Sequence, residues 1–191
     1  MHDALLFNLR IASQTSTILD RLDLTPREYF LATVHRAENT DRPENLHGIL
    51  GALVALAESG KSVVVPLHPR TRKLLNGVQT ELPARLMLIE PVPYLDMLML
   101  EKHALTILTD SGGVQKEAQW ANVPCVTLRE ETEWVETVAS GWNILAGATT
   151  QGILEAIARS REPQQPPPTD WTAPGAAGRI SRLIVKGVAF G

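Results

Sequence analysis

Short apolar segments recur along the chain from residue 29 onward, and each is followed by a stretch in which apolar residues have helical spacing. Such segments, rich in β-branched residues, are typical of buried strands. Their alternation with helices predicts an α/β fold with a parallel sheet covered on both faces. The predicted strands are Tyr29–Val34, Ser62–Pro66, Arg85–Ile89, Leu105–Thr109, Cys125–Leu128 and Asn143–Leu145. The predicted helices between them cover residues 44–59, 69–76, 93–102, 112–121, 132–139 and 149–160.

The two ends of the chain differ from this central pattern. Residues 161–170 are rich in proline and cannot continue a helix. A last helix is predicted over residues 176–187, where apolar residues return at helical spacing. Residues 3–22 have the spacing of an amphipathic helix. The side of that helix expected to be buried consists of Leu5, Leu9, Ile18 and Leu22.

The composition is that of an ordinary globular domain. The 191 residues are 44% hydrophobic and 20% charged, and the formal net charge is −3. This length suits one domain with a substantial core. Because there is no basic excess, neither nucleic acid nor an anionic membrane surface is expected as a partner.

The single cysteine and the start of the chain bear on the compartment. Cys125 cannot form an internal disulfide, which favours a reducing compartment, and its apolar neighbours in the sequence predict a buried, inert thiol. The first residues lack the basic region of a secretory signal, and no apolar run is long enough to span a bilayer. The sequence therefore predicts a cytoplasmic protein.

Residues 104–121 carry the strongest chemical signal in the chain. A predicted strand ends in three residues typical of helix caps, 109–111, and continues through two glycines into a helix. We call Ser111, Gly112 and Gly113 the glycine turn. It would present unpaired N–H groups and the positive end of a helix dipole, which favours phosphate binding; a tight turn without a ligand is the alternative. The spacing is neither G-x-G-x-x-G nor a P-loop, so a nicotinamide cofactor and ATP hydrolysis are not expected.

Two further positions near the glycine turn indicate how a nucleotide would be bound. Glu117 lies within two turns of the start of the predicted helix, where its carboxylate could reach a ribose attached to the phosphates. Tyr94 and Met97 precede the strand in the sequence and could flank a planar base. The alternatives are a solvated position for Glu117 and core packing for the other two side chains.

Polar clusters also follow the first two predicted strands. His35 and Arg36 come after the first strand, and His68 comes after the second. In a parallel sheet, ligands bind beyond the carboxyl ends of the strands, so these side chains are expected to share a cleft with the glycine turn. Guanidinium and imidazole groups both suit phosphate oxygens. Alternatively, the first pair caps the next helix or pairs with Asp41 and Glu44, and the second histidine is structural.

A third cluster follows the fifth predicted strand. Arg129, Thr132 and Glu133 are candidates for lining the same pocket. The alternative is a solvated, acidic first turn of a helix, which the helix dipole favours.

Six motifs, in this order and over nearly the whole chain, resemble the non-hydrolysing UDP-N-acetylglucosamine 2-epimerases. They are Thr-Val-His-Arg-Ala-Glu-Asn-Thr-Asp at 33–41, Pro-Leu-His-Pro-Arg-Thr at 66–71, Pro-Val-Pro-Tyr-Leu-Asp at 91–96, Thr-Asp-Ser-Gly-Gly-Val-Gln-Lys-Glu-Ala at 109–118, Pro-Cys-Val-Thr-Leu-Arg-Glu-Glu-Thr-Glu-Trp-Val-Glu at 124–136 and Gly-Trp-Asn-Ile-Leu-Ala-Gly at 141–147. The resemblance implies a Rossmann-like, doubly wound parallel sheet that is the C-terminal half of a glycosyltransferase-B-like fold. The substrate would lie between two such domains.

The resemblance also implies a mechanism and a set of residue roles. UDP would be eliminated to leave a 2-acetamidoglucal and added back after protonation on the opposite face at C2, without a metal or cofactor. His35 would be the catalytic residue, at the diphosphate; the glycine turn would bind phosphate, Glu117 the ribose, and the segment around Tyr94 the uracil. The full set of expected substrate-binding residues is His35, Arg36, His68, Tyr94, Ser111, Gly112, Gly113, Glu117, Arg129 and Glu133.

The chain corresponds to only the second half of such an enzyme. Residues 1–24 resemble the crossover helix from the missing N-terminal domain, residues 25–160 the UDP-binding domain, and residues 161–191 a connector with a C-terminal helix. In the family, the first domain supplies the acidic residues assigned to proton transfer at C2. We therefore expect the chain alone to bind UDP or a UDP-sugar without turnover, and we expect a homo-oligomer.

One departure from the family pattern leaves the substrate open. Many members have Thr-Glu-Arg-Pro-Glu where this chain has Thr-Glu-Trp-Val-Glu at 132–136, so an arginine contact to the nucleotide sugar is missing at Trp134. This form resembles the branch that acts on UDP-2,3-diacetamido-2,3-dideoxyglucuronic acid. The alternatives to an epimerase half are a standalone UDP-binding module and the nucleotide-sugar half of a retaining glycosyltransferase, although the full motif set points away from the latter.

Overall fold

The computed structural model, which describes residues 2–67, 71–72, 82–160 and 175–185, contains a six-stranded parallel sheet. The strands are β1 (Tyr29–Thr33), β2 (Ser62–Pro66), β3 (Leu86–Ile89), β4 (Thr106–Thr109), β5 (Cys125–Thr127) and β6 (Asn143–Leu145). Their order across the sheet is β3-β2-β1-β4-β5-β6. From the centre of the sheet, β1, β2 and β3 follow one another toward one edge, and β4, β5 and β6 follow one another toward the other. This arrangement confirms the predicted Rossmann-like, doubly wound sheet.

Helices lie on both faces of this sheet. In the described part of the chain they are α1 (His2–Thr15), α2 (Ile18–Arg21), α3 (Ala37–Thr40), α4 (Pro43–Glu58), α5 (Tyr94–His103), α6 (Gly112–Trp120), α7 (Val135–Ala139), α8 (Thr150–Ser160) and α9 (Ala176–Val185). None of them is long and apolar enough to cross a membrane.

The core has two parts because successive side chains of a strand point to opposite faces of the sheet. On β1, Phe30 and Ala32 pack into an apolar cluster with α4 and α8, whereas Tyr29 and Leu31 pack into a second cluster with α2, α5 and α6. All four of these side chains are buried. Strands buried on both faces have unbroken apolar sequences, and each observed strand ends within one residue of its prediction.

The carboxyl ends of β1 and β4 lie side by side at the centre of the sheet. Thr33 pairs with Thr109 in the ladder, and their Oγ1 atoms are 2.6 Å apart, so one hydroxyl donates a hydrogen bond to the other. The loops that follow these two strands therefore leave the same edge next to each other. Open parallel sheets bind their ligands at this position.

Residues 3–22 form two helices rather than the single predicted one. α1 ends just before Ser16, and α2 begins at Ile18. Ser16 Oγ donates a hydrogen bond to Asp96 Oδ1 over 2.5 Å and accepts one from the Ile18 N–H over 3.3 Å. A serine that bonds the backbone in this way competes with helical hydrogen bonds, which explains the break. Leu5 and Ile18 are buried as predicted, whereas the other two residues of that side are half-buried.

Other boundaries also differ from the predictions. The four residues of α3 were not predicted as helix, and α7 begins at Val135, three residues later than expected. The helix predicted over 69–76 lies mostly outside the described residues, as does the proline-rich segment 161–170. The last helix is present as α9, and all of its residues are exposed.

Cys125 lies on β5 and is 1% exposed, which confirms the prediction of a buried thiol. Burial raises its pKa to about 12, so it is not a reactive thiolate near neutral pH. Among the residues that the structure describes, no cluster of histidine, cysteine and carboxylate side chains could hold a metal ion.

Candidate functional site

Asp110, at the end of β4, holds the loop that follows β1. Its carboxylate is fully buried and accepts hydrogen bonds from the His35 N–H over 3.1 Å, the Arg36 N–H over 3.0 Å and Asn39 Nδ2 over 3.1 Å. The His35 ring is about half exposed, and its Nδ1 lies 3.2 Å from Asp110 Oδ1. The carboxylate thus fixes both the backbone and the ring of His35 at the edge of the sheet, whereas the sequence indicated only a capping residue.

The glycine turn leads from β4 into α6. Ser111 has an extended backbone, with φ −88° and ψ 123°, and is the N-cap residue of the helix, although its side chain makes no capping hydrogen bond. The first intrahelical bond runs from the Gln115 N–H to the Ser111 carbonyl over 3.1 Å. The N–H groups of Gly112 and Gly113 precede this bond and have no acceptor among the described residues. They provide two donors at the positive end of the helix dipole.

The two glycines of the turn have different surroundings. A Cβ on Gly112 would lie 2.9 Å from Trp134 Nε1 and 3.6 Å from Glu133 Oε2. A Cβ on Gly113 would meet only Ser111 Oγ, at an ordinary contact distance of 3.7 Å. Close approach of the tryptophan therefore requires glycine at the first position and not at the second.

Tyr94 at the start of α5 and Glu117 on α6 are in direct contact. The Tyr94 hydroxyl donates a hydrogen bond to Glu117 Oε1 over 2.9 Å, and the tyrosine is 47% exposed, so the alternative of core packing is wrong for it. Met97 is half-buried and packs on the second apolar cluster, as that alternative predicts. Burial raises the pKa of Glu117, and the hydrogen bond from Tyr94 opposes this shift.

A network of charged side chains lies beyond β5. The Arg129 guanidinium is 6% exposed; its Nε donates to Glu38 Oε1 over 2.9 Å, and its Nη1 and Nη2 donate to the Glu133 carboxylate over 3.0 and 3.2 Å. Arg36 Nη2 lies 3.5 Å from Glu133 Oε1, so its partner is neither of the two acids proposed from the sequence. Hydrogen bonds from Arg129 and from backbone lower the pKa of Glu133 to about 2.

Glu101 is a buried acid that sequence reasoning missed. It lies on α5, seven residues and therefore about two turns after Tyr94, and is 1% exposed. Neither of its carboxylate oxygens has a hydrogen-bond partner within the described residues. Burial, together with the charge of Glu117, raises the pKa of Glu101 well above its usual value.

The candidate residues thus gather at one edge of the sheet. The glycine turn forms the start of α6, and Glu117 lies further along the same helix with Tyr94 at its carboxylate. His35, Arg36, Arg129 and Glu133 lie across the neighbouring strand ends. His68 lies outside the described residues. Three residues that the sequence did not assign to ligand binding position the others; they are Asp110, Glu38 and Asn39.

Comparison with known proteins identifies the family. A family model described as UDP-N-acetylglucosamine 2-epimerase matches residues 1–188. The chain belongs to this family. It is 51% identical over 164 residues to a UDP-N-acetylglucosamine 2-epimerase homolog of Methanococcus maripaludis, covering 83% of this chain and 45% of that protein.

Two further relatives have names that include a UDP-sugar. The UDP-2,3-diacetamido-2,3-dideoxy-D-glucuronate 2-epimerase of Pseudomonas aeruginosa is 47% identical over 132 residues, covering 69% of this chain and 37% of that protein. The crystal structure of Methanocaldococcus jannaschii UDP-GlcNAc 2-epimerase in complex with UDP-GlcNAc and UDP is 38% identical, with a TM-score of 0.81, covering 97% of this chain and 53% of that chain. The chain spans about half the length of the relatives it matches.

Proposed function

We propose that this chain is the UDP-binding half of a UDP-N-acetylglucosamine 2-epimerase. The observation that carries the proposal is α6, which begins with N–H groups that have no acceptors in the described chain and also carries Glu117, the partner of Tyr94 on α5. A helix N-terminus suits a pyrophosphate, and a carboxylate one to two turns further suits the hydroxyls of the attached ribose. The solved relative that carries UDP-GlcNAc and UDP supports this ligand.

Each part of the site has a role in this proposal. The glycine turn donates hydrogen bonds to the pyrophosphate, Glu117 accepts from the ribose hydroxyls, and exposed Tyr94 contacts the uracil. His35, held by Asp110, faces the diphosphate with the accessible part of its ring. Donors fixed before the reaction stabilise the charge that develops on UDP as it leaves the sugar. Arg36, Arg129 and Glu133 complete the sugar side of the site, where the two arginines hold the carboxylate in place.

The proposal divides the reaction between the two halves of the enzyme. This chain binds the leaving group, and the other half supplies the acids that move the proton at C2. The isolated chain therefore binds UDP and does not convert the nucleotide sugar to its epimer. Incubation with UDP-N-acetylglucosamine, followed by chromatography of the products, tests this division, and appreciable epimer from the isolated chain would contradict it.

Titration calorimetry with UDP and with inorganic pyrophosphate tests the binding assignment. We expect the chain to bind UDP, and we expect Glu117→Ala to weaken UDP binding by about tenfold, because one or two hydrogen bonds to a charged acceptor are lost. The same variant should leave pyrophosphate binding unchanged, because pyrophosphate has no ribose. The matched control is Glu58→Ala at the exposed end of α4. Absence of UDP binding, or an equal loss for both ligands, would count against the proposal.

A second candidate substrate is UDP-2,3-diacetamido-2,3-dideoxyglucuronic acid. The 47% identity to the Pseudomonas aeruginosa enzyme, and tryptophan at position 134, favour it. A thermal shift series with the two nucleotide sugars at equal concentration separates the candidates, because the ligand with the higher affinity raises the melting temperature more.

A further inference from the structure

Trp134 lies against the start of α6, where the proposed pyrophosphate would bind. Its Nε1 is 2.9 Å from the point that a Cβ on Gly112 would occupy, so the indole N–H group lies next to the backbone of the glycine turn. The indole N–H has no acceptor in the part of the chain that the structure describes. An indole N–H can only donate, and a third donor beside the two glycine N–H groups fits an anion.

The main chain on both sides of Trp134 is fixed. The Trp134 N–H donates to Thr132 Oγ1 over 3.1 Å, and Thr137 Oγ1 donates to the Trp134 carbonyl over 2.7 Å. Thr132 Oγ1 in turn donates to buried Gln115 Oε1 over 2.6 Å, which ties this segment to α6. The position of the indole is therefore set by the backbone and not only by its own side-chain torsions.

Lys116 holds the ring itself. Its Nζ lies 5.1 Å from the centre of the Trp134 ring and 5.3 Å from that of the Trp120 ring, and it is 3.0 Å from Glu136 Oε1. The lysine side chain is 9% exposed. An ammonium group that is largely removed from water gains more from the faces of aromatic rings than an exposed one does. Lys116 also lies one turn after Gly112, so it fixes the indole relative to the helix that carries the glycine turn.

We propose that Trp134 contacts the ligand, with its Nε1–H donating a hydrogen bond to a phosphate oxygen of the nucleotide, and that Lys116 is its positioning residue. This inference rests on the proposed function, because it names a further contact in the same UDP site. It also accounts for the difference between the two glycines. Only Gly112 lies under the indole, and a side chain there would push the donor away from the phosphate.

The first test compares Trp134→Phe with wild type by titration calorimetry with UDP and with uridine. Phenylalanine keeps an aromatic face for Lys116 and removes the N–H donor. We expect the variant to bind UDP about tenfold more weakly, the usual effect of one hydrogen bond to a charged acceptor. Binding of uridine, which has no phosphate, should not change. Trp142→Phe is the matched control, because Trp142 directly precedes β6. It therefore lies at the amino-terminal ends of the strands, whereas the proposed site lies at their carboxyl ends.

The outcomes separate this inference from the function on which it rests. If wild type binds UDP and Trp134→Phe binds it equally well, Trp134 is not a ligand contact and the inference alone is wrong. If Trp134→Phe weakens uridine and UDP equally, the tryptophan acts on the whole site and the phosphate contact is wrong. If wild type does not bind UDP, the proposed function and the inference both fail.

A double-mutant cycle tests the role of Lys116. We expect Lys116→Met to weaken UDP binding about threefold to tenfold, because the indole loses the cation that fixes its plane, and Lys116→Arg to restore most of the affinity. In the Trp134→Phe background, Lys116→Met should have no further effect, because no N–H remains to be positioned. Additive losses in the double variant would show that Lys116 acts independently and would overturn its positioning role. A circular-dichroism spectrum establishes that each variant is folded.

Discussion

Replacing Asp110 with alanine should lower the free energy of unfolding by about 3–5 kcal/mol and abolish binding of UDP. The buried carboxylate is the shared acceptor of the His35 and Arg36 N–H groups and of the Asn39 amide. Alanine would leave the His35 and Arg36 N–H groups without this acceptor and would remove one of the two acceptors of Asn39 Nδ2. Each unsatisfied buried donor costs about 1–3 kcal/mol. The loop after β1 would then lose its fixed position beside the glycine turn.

Urea denaturation followed by circular dichroism measures the effect on stability. The matched control is Asp20→Ala on α2, where the aspartate is exposed, and we expect a change within about 0.5 kcal/mol there. Asp110→Asn should have an intermediate effect, because the amide keeps one acceptor oxygen and turns an NH2 group toward the donors. A loss below about 1 kcal/mol for Asp110→Ala would contradict the central role of this carboxylate.

The sheet and the location of the site follow from local sequence patterns. A strand covered by helices on both faces has few polar positions, so each strand is visible as an apolar run that ends close to the observed boundary. In a doubly wound sheet the ligand edge is then given by topology, which places the residues after β1 and β4 together. The positions of the glycine turn and of His35 at this edge were predictable for this reason.

The hydrogen-bond and ion-pair partners of the candidate site residues were less predictable, because these partners are distant in the sequence and meet only in the folded chain. Arg36 had Asp41 and Glu44 close by in the sequence, yet it lies beside Glu133, which is 97 residues away. Asp110 carries the local signature of a helix cap, and only the neighbouring loop shows that its carboxylate holds His35. Such choices depend on distances between strand ends, which periodicity does not encode.

At two positions, Ser16 and Glu101, the structure differs from what the spacing of apolar residues predicts. The apolar spacing of residues 3–22 continues across Ser16, so the pattern gives no sign that this hydroxyl ends the helix. Glu101 is the opposite case, because a charged residue in a predicted helix is usually exposed and this one is buried. No feature of the sequence around Glu101 indicates that its carboxylate faces the interior.

Replacing Glu101 with glutamine should raise the free energy of unfolding at pH 8 and have little effect below pH 4. In the folded chain, burial and the charge of Glu117 raise the pKa of Glu101 well above its unfolded value. A raised pKa means that the folded state binds the proton more tightly than the unfolded state does. The resulting stability is therefore fully present below the unfolded pKa and is lost as the pH rises through the folded pKa. Glutamine is neutral throughout and escapes that loss.

Thermal and urea unfolding of wild type and Glu101→Gln between pH 4 and pH 8 measure this difference. The two stability curves should meet at the acidic end and separate as the pH rises, with wild type the less stable protein at pH 8. Glu117→Gln should flatten the curve less, because its raised pKa is opposed by the hydrogen bond from Tyr94. Glu58→Gln, at an exposed position, should leave the curve unchanged. Parallel curves for wild type and Glu101→Gln would mean that this carboxyl group has the same pKa in the folded and unfolded chains, and hence that in the folded protein it reaches water or accepts hydrogen bonds from a donor.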